Sequence, residues 1–185
     1  AVLENNTTIK TIDLSDNDIG VEGAKAIGVG LRKNATIQII NLRSNNIGAD
    51  GAKFIGAVLK NTTIQAINLH NNSIGDEGAK AIGAGLESNH TIQSINLGNN
   101  GIRDDGAKAI GAVLENNTTI ETIDLLSNNI GNDGATAIGA GLEKNTTIQT
   151  IDLSFNCIGE DGAKAIIASL YHDYAIEKIN ALNNR

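Results

Sequence analysis

The chain has 185 residues, a net charge of −7, no proline, one cysteine (Cys157) and a hydrophobic content of 41% that is almost entirely aliphatic. One cysteine excludes a disulfide framework. An acidic balance without a basic patch argues against nucleic acid and anionic membrane surfaces as partners, and no apolar run approaches the ~18 residues that a membrane-spanning helix needs.

From the start of the chain, residues 1–8 repeat residues 112–119 letter for letter. They are read as the tail of a preceding helix. Without an initiator Met or a signal peptide, the expectation is a piece of a longer array or an engineered one, of intracellular or bacterial origin. A phrase of about 28 residues then begins at Ile9, Ile37, Ile64, Ile92, Ile120 and Ile148, and incompletely at Ile176. The Ile37 to Ile64 step is one residue short. Such a period predicts a stacked solenoid, with residues 9–175 forming six complete repeats and 176–185 a partial terminal one.

Each unit opens as Ile37-x-x-Ile40-x-Leu42-x-x-Asn45-x-Ile47-Gly48 does. The Ile-x-Leu alternation predicts a short strand with one face inward, and the core is expected at Ile12, Leu14, Ile40, Leu42, Ile67, Leu69 and their equivalents. The Asn recurs at positions 17, 45, 72, 100, 128, 156 and 184. There its amide can satisfy backbone groups of two coils at once. The second half of the unit, as at Ala79, Ile82 and Leu86, has the i, i+3, i+7 stripe of an amphipathic helix. Acidic residues at its start and Lys three residues later suit a solvated helix surface. Glycines within the helices, such as Gly28, Gly83 and Gly111, imply close packing. Strands stack about 4.8 Å apart and helices about 8–10 Å apart, so the array must curve with the sheet inside. The prediction is a right-handed α/β solenoid of seven parallel strands on the concave face and six complete helices on the convex face.

This combination of an I-x-x-I-x-L-x-x-N-x-I-G segment with a following G-A-x-A-I segment and a terminal Leu resembles the ribonuclease-inhibitor-like class of leucine-rich repeats. Similar arrays occur in NOD-like receptors and in Ran-type GTPase-activating proteins. The resemblance spans essentially the whole chain and implies a horseshoe that binds proteins. Two departures are Ile in place of Leu at most strand positions and the lack of a Cys-rich terminal cap.

The residues give no catalytic, cofactor or metal constellation. His70, His90 and His172 fall in different coils, and the Gly-x-Gly pairs lie late in helices, away from any strand-to-helix turn where phosphate could bind. Asn-x-Thr/Ser triplets recur, among them Asn34, Asn89, Asn117 and Asn145. They are read as polar loops whose amides satisfy backbone groups. Tyr171 and Tyr174, in an atypical last unit, are read as shields of the final coil.

Between the strand Ile and Leu stands an Asp or Asn in every coil, including Asp13, Asp124 and Asp152; a ladder hydrogen-bonded to itself is expected. Where the repeat stops repeating, it offers Ile39, Arg43, His70, Asn99, Leu126 and Phe155. With Asp13, Asp124 and Asp152 these are the expected partner-binding residues of the concave face, Leu126 and Phe155 forming an apolar anchor. The expected function is a noncatalytic protein-binding module. The alternatives are a structural or engineered array without a ligand, or the recognition segment of a larger regulator such as a GTPase-activating protein. End-to-end self-association is expected through the uncapped first coil around Ile9, Ile12 and Leu14.

Overall fold

The computed structural model describes residues 2–60, 62–171 and 175–184. Seven strands of three residues each, β1 (Thr11–Asp13), β2 (Ile39–Asn41), β3 (Ala66–Asn68), β4 (Ser94–Asn96), β5 (Thr122–Asp124), β6 (Thr150–Asp152) and β7 (Lys178–Asn180), form one parallel sheet in chain order. Every central Ile pairs in register with the next, from Ile12↔Ile40 to Ile151↔Ile179. Behind the sheet lie α1 (Val2–Asn5), α2 (Gly20–Leu31), α3 (Gly48–Leu59), α4 (Gly75–Leu86), α5 (Asp104–Asn116), α6 (Asn132–Lys144) and α7 (Glu160–Ser169). The strand–helix–strand crossovers are of the right-handed type. The result is a solenoid horseshoe with the sheet on one face and the helices on the other.

The core lies between these layers. Ile40, Leu42, Ile67, Leu69 and their equivalents as far as Ile151 and Leu153 are buried, as are Ile55, Ile82, Ile110 and Ile138 from the helices, whereas Ile179 is only partly buried. Ile12 and Leu14 are only partly buried, because no complete coil stacks on their outer side.

Two amide ladders tie the coils together. In the first, Asn100 donates through Nδ2 to the carbonyls of Leu69, Leu97 and Gly98 at 2.9, 3.0 and 3.1 Å. Its Oδ1 accepts the N–H groups of Asn72 and Ile74 at 2.9 and 3.3 Å. One side chain thus satisfies backbone groups of its own coil and the one before. The second ladder sits where the helices return to the sheet. Asn117 donates to the carbonyls of Leu86 and Asn89 and accepts from the N–H groups of Thr119 and Ile120. Asn34, Asn89 and Asn145 do the same work and, with Asn117, are buried. Their Nδ2 atoms are committed to carbonyls of the preceding coil. This burial closes the folded chain to glycosylation at these four positions.

Of Gly28, Gly83 and Gly111, two hold one helix against the next. A Cβ on Gly111 would collide with the Ala137 carbonyl, and one on Gly28 would stand 3.1 Å from that of Phe54. Gly83 differs, since a Cβ there would make only ordinary contacts. The acidic and Lys residues pair along the outer face, for instance Lys53–Asp50 and Lys80–Glu77, both at 2.8 Å. Such exposed pairs contribute little stability.

The helix starts come in two forms, which the sequence period conceals. Asp76 Oδ1 accepts the N–H groups of Arg103 and Gly106 in the next coil. Asp104 does so for Gly131 and Gly134, and Asn132 for Gly159 and Gly162. Each side chain therefore caps the following helix, and α5, α6 and α7 begin from an extended residue. Val21 and Ala49 occupy the equivalent places in α2 and α3 and offer no acceptor. There the next helices, α3 and α4, begin instead at left-handed glycines, Gly48 (φ +65) and Gly75 (φ +59). Their N–H groups donate onward to the carbonyls of Asn72 and Asn100.

The last coil corrects one expectation. Tyr171 is 78% exposed and shields nothing, while Tyr174 lies outside the described residues. Ile167 and Leu182 are also exposed, and Ile167 lines an apolar hollow of about 230 Å³ with Leu153, Ile166, Leu170 and Ile179.

Candidate functional site

The concave face is built two residues at a time. At the end of each strand the Asp or Asn side chain folds forward and accepts the backbone N–H two residues on. Asp13 takes that of Ser15, Asn41 that of Arg43, Asn68 that of His70, Asn96 that of Gly98, Asp124 that of Leu126 and Asp152 that of Ser154. These turns fix the backbone and hold the next side chain, the variable one, at the rim of the sheet. The expected ladder of side chains bonding to one another is only partial. Asn41 bonds Asp13, Asn96 donates to Asp124 at 2.8 Å and Asn180 to Asp152 at 2.9 Å.

Asp124 and Asp152 are register neighbours, and among the described residues neither forms an ion pair. Burial, assisted by the Asp152 charge, pushes the Asp124 carboxyl above its ordinary range. Burial also acts upward on Asp152, but hydrogen bonds from Asn180 and Ser154, with the Lys178 charge, outweigh it and leave that carboxyl lowered. The Asp13 carboxyl is lowered by its Ser15 hydrogen bonds and by Asn41.

Gly98 shapes the middle of the face. A Cβ there would stand 2.8 Å from His70 Nδ1, so the missing side chain is what lets the imidazole lie across the next coil. The outcome is an open hollow of about 310 Å³ lined by Arg43, Asn68, His70, Asn96, Asp124 and Leu126. Ile39 lines an adjoining hollow that shares Asn68 and Asn96. Four expected residues, Arg43, His70, Asp124 and Leu126, thus surround one space, with Asp152 beside it. Asp13 lies four strands from Asp124 and lines neither hollow. Asn99 stands on the rim and donates to Asn71 Oδ1.

Phe155 occupies a column whose backbone is left-handed in every coil. Asp16, Ser44, Asn71, Asn99, Ser127, Phe155 and Asn183 all have φ between 52° and 57°. Short polar residues tolerate this region; a bulky L-residue there is an outlier. Phe155 is nonetheless present and 53% exposed. Its N–H donates to the carbonyl of Leu182, which is 68% exposed. Leu126, Phe155 and Leu182 therefore supply apolar surface along one margin of the face. Leu182 was visible in the sequence as a departure from its column; what marks it is the exposure.

A larger hollow, about 570 Å³, runs along the loop edge past His90, Thr118, Glu121, Thr146 and Glu177. Two of the hydroxyls lining it are donated to backbone carbonyls, Thr91 to Thr62 and Thr147 to Ile120. Cys157 is an exposed free thiol. Among the described residues no three His, Cys, Asp or Glu side chains converge as a metal site would require, and no helix is long and apolar enough to cross a membrane.

Parallel strands inside, helices outside and an Asn at every turn define a leucine-rich repeat solenoid. The chain belongs to the leucine-rich repeat family: the family model described as "Leucine Rich repeat" matches residues 5–28, 33–56, 60–83, 88–111, 116–139 and 144–166. Among solved structures it is similar to leiomodin-1 actin-binding site 2, at 24% identity and a TM-score of 0.62, over 71% of this chain and 78% of that one. That likeness shows the fold. A TLR13–ssRNA13 complex aligns at 13% identity with a TM-score of only 0.34, over 97% of this chain and 34% of that one. No curated protein matches the chain.

Proposed function

We propose that this chain is a noncatalytic protein-binding module that acts as one continuous array and presents its concave face to a protein partner. Phe155 is the observation that carries the reading. Six of the seven residues in its column are Asp, Ser or Asn, types suited to a left-handed backbone, and a phenylalanine there is both strained and half exposed. The frame does not require it, so its use lies outside the frame. Arg43, His70, Asp124, Asp152 and Leu126 around the neighbouring hollow supply the charge and apolar contact that fix a partner's position, while Ile39 extends the surface. Rigid display suits this role, because a preorganised face loses little conformational entropy on association.

The reading is tested by placing a photoreactive side chain at position 70 on the concave face or at position 80 on the convex face. Crosslinked adducts should form with a protein from the first position only, and Phe155→Asn should diminish them. Equal adducts from both positions, or adducts from the convex position alone, would reject it. No adduct from either would favour an array without a ligand.

A further inference from the structure

We infer that the β5–β7 end of the concave face takes a basic, apolar-containing segment of its partner, with a Lys or Arg between Asp124 and Asp152 and an aliphatic or aromatic side chain against Leu126, Phe155 and Leu182. This rests on the protein-binding reading and specifies its ligand. The apolar margin comes first. Phe155 and Leu182 are more than half exposed, their backbones are joined by a hydrogen bond, and Leu126 lines the hollow that Asp124 also lines. Exposed apolar groups gathered in this way, with polar neighbours, are a feature of interaction surfaces.

Charge decides the occupant. Asp124 and Asp152 stand side by side in register, and every ion pair among the described residues involves other side chains; Lys178 on β7 acts on Asp152 through its charge without pairing with it. Asp124 accepts one hydrogen bond on each oxygen, Oδ1 from the Leu126 N–H and Oδ2 from Asn96, while Asp152 accepts from the Ser154 N–H, the Ser154 hydroxyl and Asn180. A carboxylate has about four lone-pair sites, so both groups, Asp124 more than Asp152, retain capacity to receive a guanidinium or ammonium. The Asn bonds meanwhile hold both groups in place. The mutual repulsion of the pair would be relieved by a cation and worsened by an acidic segment. Across the same hollow, on the β2 side, Arg43 attracts an acidic side chain. Arg43 thereby sets the direction in which a segment lies across the coils. From β2 to β5 is three strand steps, about 14 Å at ~4.8 Å each, or roughly four residues of extended peptide. An acidic residue about four positions from the basic one therefore completes the match.

The test uses the full chain and a random 12-residue phage-displayed peptide library. Selected peptides should carry Lys or Arg adjacent to Leu, Ile, Phe or Tyr. Anisotropy with a synthetic selected peptide should show about tenfold weaker binding to the Asp124→Asn, Asp152→Asn double variant, and a steep loss with added salt, as expected for charge-paired contacts. Phe155→Asn should weaken the same peptide by about tenfold without changing its salt dependence. Thermal melting of each variant confirms that it is folded. Selection of peptides without basic residues, binding that survives the double Asn variant, or no enrichment at all would overturn the proposal. If selected peptides depend on Phe155 but not on the carboxylates, the basic-segment inference fails and the protein-binding reading stands. If photocrosslinking and selection both leave the concave face silent, the broader reading falls as well.

Discussion

Asp104→Ala tests the cross-coil capping directly, because the array contains its own controls. Asp104 Oδ1 accepts Gly131 N–H at 2.7 Å and Gly134 N–H at 2.9 Å. Its removal leaves two part-buried amides at the start of α6 without that acceptor. Loss of a capping side chain typically costs about 1 kcal/mol, within a range of roughly 0.5–2 kcal/mol. In a protein of this size each kcal/mol corresponds to about 2–4 °C in melting temperature, so the variant should melt about 2–4 °C lower. Urea unfolding followed by circular dichroism should show a matching fall in the midpoint at unchanged slope. Asp104→Asn should stay within about 0.5 kcal/mol of the parent, since Asn132 performs the same task with an amide oxygen. The reciprocal change, Ala49→Asp, should add little. The helix start facing it begins at left-handed Gly75, whose N–H already donates to the Asn100 carbonyl. If Asp104→Ala is silent, or if Ala49→Asp stabilises as much as Asp104→Ala destabilises, the link between this side chain and the two turn forms is wrong.

Further outcomes follow from the same frame. Asn100→Ala should be among the most damaging single changes, by about 3 kcal/mol or more in urea unfolding, because it strands several buried backbone groups at ~1–3 kcal/mol each. Gly111→Ala should cost about 1–3 kcal/mol by thermal melting, since the backbone of Ala137 and Ile138 leaves no room for a methyl group. Asp124→Asn should raise the melting temperature at pH 7. The Asp124 carboxyl sits above its ordinary 3.8 in the folded chain, so its charged form disfavours the fold at neutral pH. The gain should shrink as pH falls through the raised value and vanish below the unfolded one. Phe155→Asn should leave stability within about 1 kcal/mol by urea unfolding, the relief of a left-handed phenylalanine offsetting the loss of its half-buried ring, while weakening any concave-face complex.

Most of the frame was legible because it is written seven times. The Ile-x-Leu alternation, the turn Asn and the helix stripe each follow from a repeated local requirement, and repetition averages out the ambiguity of three-residue strands. What escaped depends on a single position acting across a coil boundary. The series Val21, Ala49, Asp76, Asp104, Asn132, Glu160 is visible in the sequence, but the acceptor it supplies belongs to the next helix, about 27 residues on. Gly98 escaped likewise: as a letter it marks a missing side chain, and only its distance from His70 shows what the vacancy admits. The expectation at Tyr171 failed for a related reason. An atypical sequence at the end of an array predicts a different local surface, and burial there depends on neighbours that the local sequence does not specify.

The candidate site was legible as departure from the repeat, and the structure sharpens which departures differ in kind. Arg43, His70 and Leu126 replace small residues at positions where the strand-end Asx turn has already fixed the backbone, so the frame tolerates almost any side chain there. Phe155 is different, because its column demands a left-handed backbone in every coil and most residues resist it. A change that the frame accepts freely carries little information about use. One that the frame resists carries more, since drift alone would favour a return to Asn, Ser or Asp. The ladders of Asn and the glycine contacts thus do two things: they make the coils rigid, and they set a local standard against which an exposed aromatic stands out. For that reason Phe155, more than the charged residues around the hollow, is the position from which to probe recognition by this face.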